Sequence, residues 1–216
     1  MQINPETDII GVVDVQPTFM PGGELPVSGG AEIVPVINGL LTRFSHAFVT
    51  QDWHPPGHTS FASAHPGKQP YDTLSLPYGE QVLWPDHGIA GTPSAAIHPE
   101  IDQSRVEVVI RKGFHPGIDS YSAFFENDHR TPTGLEGWLR QRGFVRVFLC
   151  GLATDFCVAW SAEDAARLGF EVVVIEDACR GIGLPAGEGR TTIDAARDRL
   201  VALGVKFVTS SGLRIG

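Results

Sequence analysis

The sequence predicts an α/β fold: a single-domain, three-layer α/β/α arrangement over residues 1–216, built on a doubly wound, mainly parallel six-stranded sheet. Two observations predict it. Short apolar runs rich in Val, Ile and Phe recur along the chain, and segments with apolar residues at three-four spacing lie between them. Such runs suit strands buried on both faces of a parallel sheet. Their alternation with helix-period segments marks βαβ units.

The first run covers residues 9–15. A helix should follow, with Ile33, Val36, Ile37, Leu40 and Leu41 on one face. Runs at 47–50 and 106–111 come next, and between them lies a long connection, about residues 51–105. A compact domain rarely keeps an irregular stretch of that length unless it has a function. A helix around Leu135, Trp138 and Leu139 ends ahead of Gly143. The run 145–150 leads to a helix carrying Val158, Ala162, Ala165 and Leu168, which stops at Gly169. The run 170–175, a helix through Ile193, Ala196, Leu200 and Val201 up to Gly204, and the run 205–209 complete the pattern. Each of these glycines stands where a helix end needs a left-handed residue.

Composition narrows the function. A 42% hydrophobic content with 19% charged residues excludes global disorder. The net charge is -9 without a basic cluster, so no nucleic-acid partner is expected. No apolar stretch approaches the roughly 20 residues that span a bilayer, so no membrane partner is expected either. The beginning MQINPETD lacks the pattern of a secretory signal. Cys150, Cys157 and Cys179 are too few and too odd in number for a disulfide framework. A cytoplasmic location is the expectation.

Ligands of open parallel sheets bind outside the carboxyl ends of the strands. Asp14 ends the first run, Asp52 and Lys112 lie just past the second and third, and Cys157 follows the fourth by a short loop. The topology therefore gathers four reactive side chains at one edge. Cys157, in GLATDFCV, opens a helix, where unpaired N–H groups and the positive dipole end favour thiolate. Asp14 and Lys112 interrupt apolar strands, which is costly unless they are paired. A lysine stabilises thiolate and carboxylate, and the carboxylate can take and return a proton. Separately, Asp52 and His54 stand two apart, so in extended backbone both face one side and can hold a divalent metal. The third ligand is open among His58, His65, His87 and His98. Cys150 reads as core, and Cys179 has no partner in sequence.

Several motifs then occur in order along nearly the whole chain: VDVQ at 13–16 with Pro17, Phe19 and PGGELPVSGG, TQDWHPPGHTSFA at 50–62, WPDHGIAGT at 84–92, RKG at 111–113, YSAF at 121–124 and GLATDFCV at 151–158. Together they resemble the nicotinamidase/pyrazinamidase branch of the isochorismatase-like cysteine hydrolases. The resemblance implies hydrolysis of a small aromatic amide, nicotinamide with pyrazinamide as a second substrate, and a homo-oligomer. It implies a catalytic set of Asp14, Lys112 and Cys157, with Ala153 and Cys157 offering backbone N–H groups to an oxyanion. It implies a cis Leu152–Ala153 peptide. It implies Asp52, His54 and His87 as ligands of one divalent ion, zinc first, with iron or manganese as alternatives. Phe19, Trp84 and Tyr121 match aromatic positions around the substrate ring, and Ser60 an outer position near the metal. Gly88 and Phe156 depart from the pattern, where many relatives have Cys after the histidine and His before the nucleophile. Vinyl-ether and carbamoyl hydrolysis use related folds. The first does not need the cysteine and the second generally lacks this metal set.

Overall fold

The computed structural model describes residues 1–216. Its elements are β1 (Gln2–Ile3), β2 (Asp8–Val13), α1 (Ile33–Leu41), β3 (Ala47–Asp52), β4 (Thr73–Leu76), β5 (Gly79–Val82), β6 (Val106–Lys112), α2 (Leu135–Gln141), β7 (Arg146–Leu152), α3 (Ala159–Arg167), β8 (Glu171–Arg180), α4 (Thr192–Ala202), β9 (Lys206–Val208) and β10 (Arg214–Ile215).

The central sheet has six strands in the order β6-β3-β2-β7-β8-β9. Every neighbouring pair in it is parallel, with Ile10 level with Ala47 on one side and Phe148 on the other. The chain runs outward from β2 to β6, returns to the centre at β7 and runs outward again. The strand order therefore reverses between β2 and β7, which is the switch point where such sheets open a crevice. Helices lie around the sheet, with α1 and α3 both packed on β8.

Local sequence explains the close packing at the centre. A side chain at Gly11 would place its Cβ 2.3 Å from the Phe48 ring tip, so the neighbouring strand carries its ring over a bare backbone. Phe48, Phe148 and Phe44 are all buried, and the last two meet edge to face at 4.9 Å. The helix α4 begins with a capping box, Thr191 and Asp194 each accepting the other's backbone N–H.

Three features differ from expectation. β6 is the sheet's edge, so Glu107, Val109 and Arg111 are exposed and only Ile110 and Lys112 are buried. It is not a strand buried on both faces. β8 extends five residues beyond the apolar run, to Arg180, because the register with β7 shifts between Leu149 and Gly151. The long connection is not wholly irregular. It holds the antiparallel hairpin β4–β5 and short 3-10 turns at Ala62–Ala64 and Pro93–Ala95. The terminal pieces β1 and β10 pair with each other in a small sheet of their own.

Gly151 has a left-handed φ of 117°, and a Cβ there would lie 2.1 Å from the Val13 carbonyl oxygen. Gly151→Ala should therefore cost about 3 kcal/mol of stability through overpacking and backbone strain. Urea unfolding checks this. An unchanged midpoint would mean that β2 and β7 are free to separate at this level.

Candidate active site

The site forms at the carboxyl ends of β2, β3, β6 and β7. Asp14 comes first after β2 and takes a left-handed φ of 48°, a conformation that Asp tolerates better than most residues. The bend turns its side chain into the protein, where it is fully buried. Thr50 on β3 holds it from two sides. The Asp14 N–H donates to Thr50 Oγ1 at 3.1 Å, and the Thr50 hydroxyl donates to Asp14 Oδ1 at 2.5 Å.

Lys112, the last residue of β6, is also buried. Its ammonium stands 2.7 Å from Asp14 Oδ2, donates to the Ser120 carbonyl at 3.0 Å and pairs closely with Asp52 Oδ1. The Cys157 sulfur lies 3.3 Å from the same nitrogen. One acidic oxygen of Asp14, one of Asp52 and the thiol all lie within 4.8 Å of one another. Asp14 Oδ2 makes no hydrogen bond of good geometry, so it remains available to the thiol proton.

Cys157 sits in a single π-helical turn, Thr154–Val158, that precedes α3. Ala153 begins this turn, its carbonyl accepts the N–H groups of Phe156 and Val158, and its own N–H finds no acceptor in the protein. The Leu152–Ala153 peptide is cis. Asp155 braces the turn from beneath, accepting the N–H groups of Ile182 and Gly183 at 2.9 Å each.

Burial and two carboxylates oppose the pull of the helix end toward thiolate. Burial pushes the Cys157 thiol well above its ordinary value; Lys112 opposes this, while Asp14 and Asp52 add to it. Burial also pushes Asp14 up to about 6, with Lys112 pulling it back. Burial alone would lower the Lys112 ammonium, but Asp14 and Asp52 hold it well above its usual range. Near pH 7 the cluster is therefore a thiol, a carboxylate and an ammonium. The helix end does not offset the two carboxylates beside the sulfur.

Asp52 joins this cluster to a second one. Its Oδ2 stands 3.8 Å from His54 Nε2 and 3.6 Å from His87 Nε2. His54 Nδ1 lies 2.8 Å from the Gly113 carbonyl, and His87 Nδ1 lies 2.8 Å from the Pro85 carbonyl. A carbonyl only accepts, so each Nδ1 carries its proton, and in the neutral ring each Nε2 turns a bare lone pair to Asp52. Burial pushes His54 down to about 4, which keeps that ring neutral. Burial would raise Asp52, but the Lys112 ammonium holds it well below the carboxylate range. One anionic oxygen and two imidazole lone pairs, converging in a buried site, are a donor set that fits a divalent metal.

Of the four histidines left open by spacing, the structure places His87 with Asp52 and His54. His58 stacks on His54 at 4.3 Å, but its Nδ1 accepts the Ser60 hydroxyl at 2.7 Å and its Nε2 donates to the carbonyls of His115 and Ile118. It has no lone pair free, and Ser60 is tied to it. His65 donates to the Thr59 carbonyl, and His98 accepts the Glu100 N–H.

The glycines around these ligands have sharp reasons. Gly113 has a φ of 65°, and a Cβ there would come within 2.3 Å of the His54 ring. Gly88, with a φ of 54°, lies with its Cβ position 3.0 Å from that of Asp52, and its carbonyl accepts the His54 N–H at 2.9 Å. A side chain at position 88 would crowd Asp52 Cβ.

The aromatic positions divide. Trp84 and Tyr121 are buried edge to face with centroids 6.3 Å apart, and Trp84 Nε1 donates to Tyr121 Oη at 3.0 Å. Phe156 completes this wall, 4.8 Å from Trp84 and 5.5 Å from Tyr121. The sequence gives Phe156, next to Cys157, no part in the chemistry but a bearing on pocket shape, and here its ring lies against Trp84 and Tyr121. Phe19 stands apart from the pair, its ring 5.6 Å from His87. Cys150 and Cys179 are buried in the core.

Comparison with known proteins places the whole chain in one family. The Isochorismatase domain model matches residues 9–203. The nicotinamidase of Acinetobacter baylyi is 50% identical over 204 residues, covering 94% of this chain and 93% of that one. The structure of PnC1 from L. infantum in complex with nicotinate superposes with a TM-score of 0.86 at 35% identity, covering 100% of this chain and 99% of the other. The pyrazinamidase of Pyrococcus horikoshii in complex with zinc superposes with a TM-score of 0.75 at 33% identity, covering 95% and 99%.

Gly113→Ala should drive the His54 ring out of line and lower bound divalent metal, measured as metal per chain after equilibration with excess ion, by about tenfold or more in affinity. Full occupancy in that variant would remove His54 from the ligand set.

Proposed function

The chain belongs to the isochorismatase family, in its nicotinamidase/pyrazinamidase branch, and we propose that it hydrolyses nicotinamide to nicotinate and ammonia through a thioester on Cys157. The observation that carries the mechanism is the buried cluster of Asp14, Lys112 and Cys157, in which a carboxylate and a thiol share one fixed cation. Pyrazinamide, a related flat ring with the same carboxamide, is proposed as a second substrate.

The reaction follows from the groups present. Asp14 Oδ2 takes the thiol proton as the sulfur attacks the carboxamide carbon. The Lys112 ammonium offsets the negative charge that appears on sulfur. The carbonyl oxygen becomes an oxyanion and accepts the free N–H of Ala153 together with that of Cys157, a contribution of about 3 kcal/mol per donor in comparable sites. Protonated Asp14 returns the proton to the amide nitrogen. The C–N bond breaks and ammonia leaves, with nicotinoyl held as a thioester. Asp14, a carboxylate again, takes a proton from water as its oxygen attacks the thioester carbon. The C–S bond breaks, the proton on Asp14 returns to sulfur, and the acid formed gives its own proton to solvent and leaves as nicotinate.

Trp84, Tyr121 and Phe156 form the wall proposed to receive the flat ring, with Phe19 on the His87 side. Asp52, His54 and His87 would hold one divalent ion, zinc in the first instance, which supplies a Lewis acid to orient the substrate.

Ammonia release from nicotinamide tests the activity, and Cys157→Ala should lower it by about four orders of magnitude or more. Near-wild-type release by that variant would rule out the covalent route. The protonation of Asp14 sets a second expectation. Its carboxylate is the base, burial places its pKa at about 6, and so kcat/KM should fall about tenfold per pH unit below that value. A flat profile from pH 7 to pH 5 would assign the base to another group.

A further inference from the structure

The hairpin β4–β5 gives no residue to the thiol cluster or to the metal cluster. Its one buried side chain is Gln81, which is 0% exposed while the flanking hairpin residues are exposed or half-buried. A buried amide must be satisfied, and this one is satisfied at both ends. Its oxygen accepts the Tyr78 hydroxyl at 3.1 Å and Asn127 Nδ2 at 3.3 Å. Its nitrogen donates to Asp119 Oδ2 at 2.7 Å, the Val82 carbonyl at 2.7 Å and Tyr121 Oη at 2.9 Å, two hydrogens shared among three acceptors. Donors meet one end and acceptors the other, so the amide has one workable orientation.

The partners are not scattered. Tyr121 Oη receives Gln81 and also Trp84 Nε1, so both its lone pairs are engaged. Asn127 accepts the Tyr121 backbone N–H at 2.9 Å through its side chain, and its own backbone N–H reaches the Asp119 carbonyl at 2.7 Å. Asp119 fixes the start of the segment by accepting the Ser120 N–H at 2.8 Å. Ser120 in turn gives its carbonyl to Lys112. Gln81 therefore sits where the hairpin, residues 119–127 and the Trp84–Tyr121 pair meet.

We propose that Gln81 is a positioning residue for ring binding: it holds the Tyr121 hydroxyl, and through it Trp84, in the arrangement that receives the aromatic part of the substrate. The hairpin exists in the long connection to deliver this side chain. The inference rests on the reading that the wall receives an aromatic amide.

Gln81→Leu removes both polar ends while keeping the bulk, and Gln81→Glu keeps the shape and the acceptor but removes the donors. In each metal-replete variant, KM for nicotinamide should rise about tenfold or more, with kcat within about threefold of wild type. Alkylation of Cys157 by iodoacetamide, a reagent without a ring, should keep its rate, followed by peptide mass, and metal per chain should not change. A folded variant with unchanged KM overturns the proposal. So does a fall in kcat joined by slower alkylation, which would place the damage at the thiol cluster. If neither variant folds, Gln81 serves the fold as a whole and the proposal fails. Wild-type protein that releases no ammonia from nicotinamide is a separate result, which sinks the proposed reaction before any variant is compared.

Discussion

The buried ammonium of Lys112 is the constraint around which the site is arranged. Two carboxylates and a thiol share one desolvated volume with it. Without a cation, two buried carboxylates within 4.8 Å would not both stay ionised. Lys112 has three N–H donors, and Asp14, Asp52 and the Ser120 carbonyl stand where those donors reach. The sulfur is the fourth neighbour and receives the field of the charge. Counting formal charges, two carboxylates against one ammonium leave the cluster at -1, and a thiolate would deepen that. The same burial and the same carboxylates push the thiol up, so its proton is best taken by a base close by.

The sheet makes the convergence affordable in geometry. The two halves of the chain meet where β2 and β7 lie side by side, and Asp14 and the nucleophile turn leave from the ends of those strands. Lys112 and Asp52 arrive from the two strands beyond β2, level with each other in register. Close approach is then a backbone problem. Gly151 clears Val13, and Gly113 clears His54 while its carbonyl fixes that ring's tautomer. Residues that look like turn formers in the sequence act as spacers that let charged side chains meet.

Much of this was legible in the chain alone. Strand and helix positions followed from β-branched runs and three-four spacing, because buried strands and amphipathic helices need those patterns. The edge position of β6 was hidden, since its Val-rich run resembles a central strand and only sheet order exposes Glu107, Val109 and Arg111. The hairpin was hidden for the opposite reason. Strands with half-exposed TLSL and GEQV carry little apolar signal. Spacing located Asp52 and His54, but it could not choose among four histidines; the deciding fact is what each ring's second nitrogen touches. The helix end told only of the pull toward thiolate; the opposing push comes from burial and from two carboxylates on strands far away in sequence. The Lys112–Asp52 pair, which makes one site of two motifs, spans 60 positions and leaves no local trace.

Asp14 and Asp52 show how one cation supports two different tasks. Both are buried and both pair with Lys112, yet one is held near neutrality and the other far below it. The difference lies in their other partners. Asp52 also faces two imidazoles and has its backbone N–H and carbonyl held by the Gln16 side-chain amide, so nothing about it is left free to change. Asp14 has the Thr50 hydroxyl on one oxygen and the Lys112 ammonium on the other. In the proposed site, the carboxylate that would hold an ion has the Lys112 ammonium and two imidazoles around it. In the proposed mechanism, the acid that gains and loses a proton in each turnover has fewer partners and stands beside the thiol. The roles of the two acids are therefore set less by their shared cation than by the count of partners on their remaining oxygens.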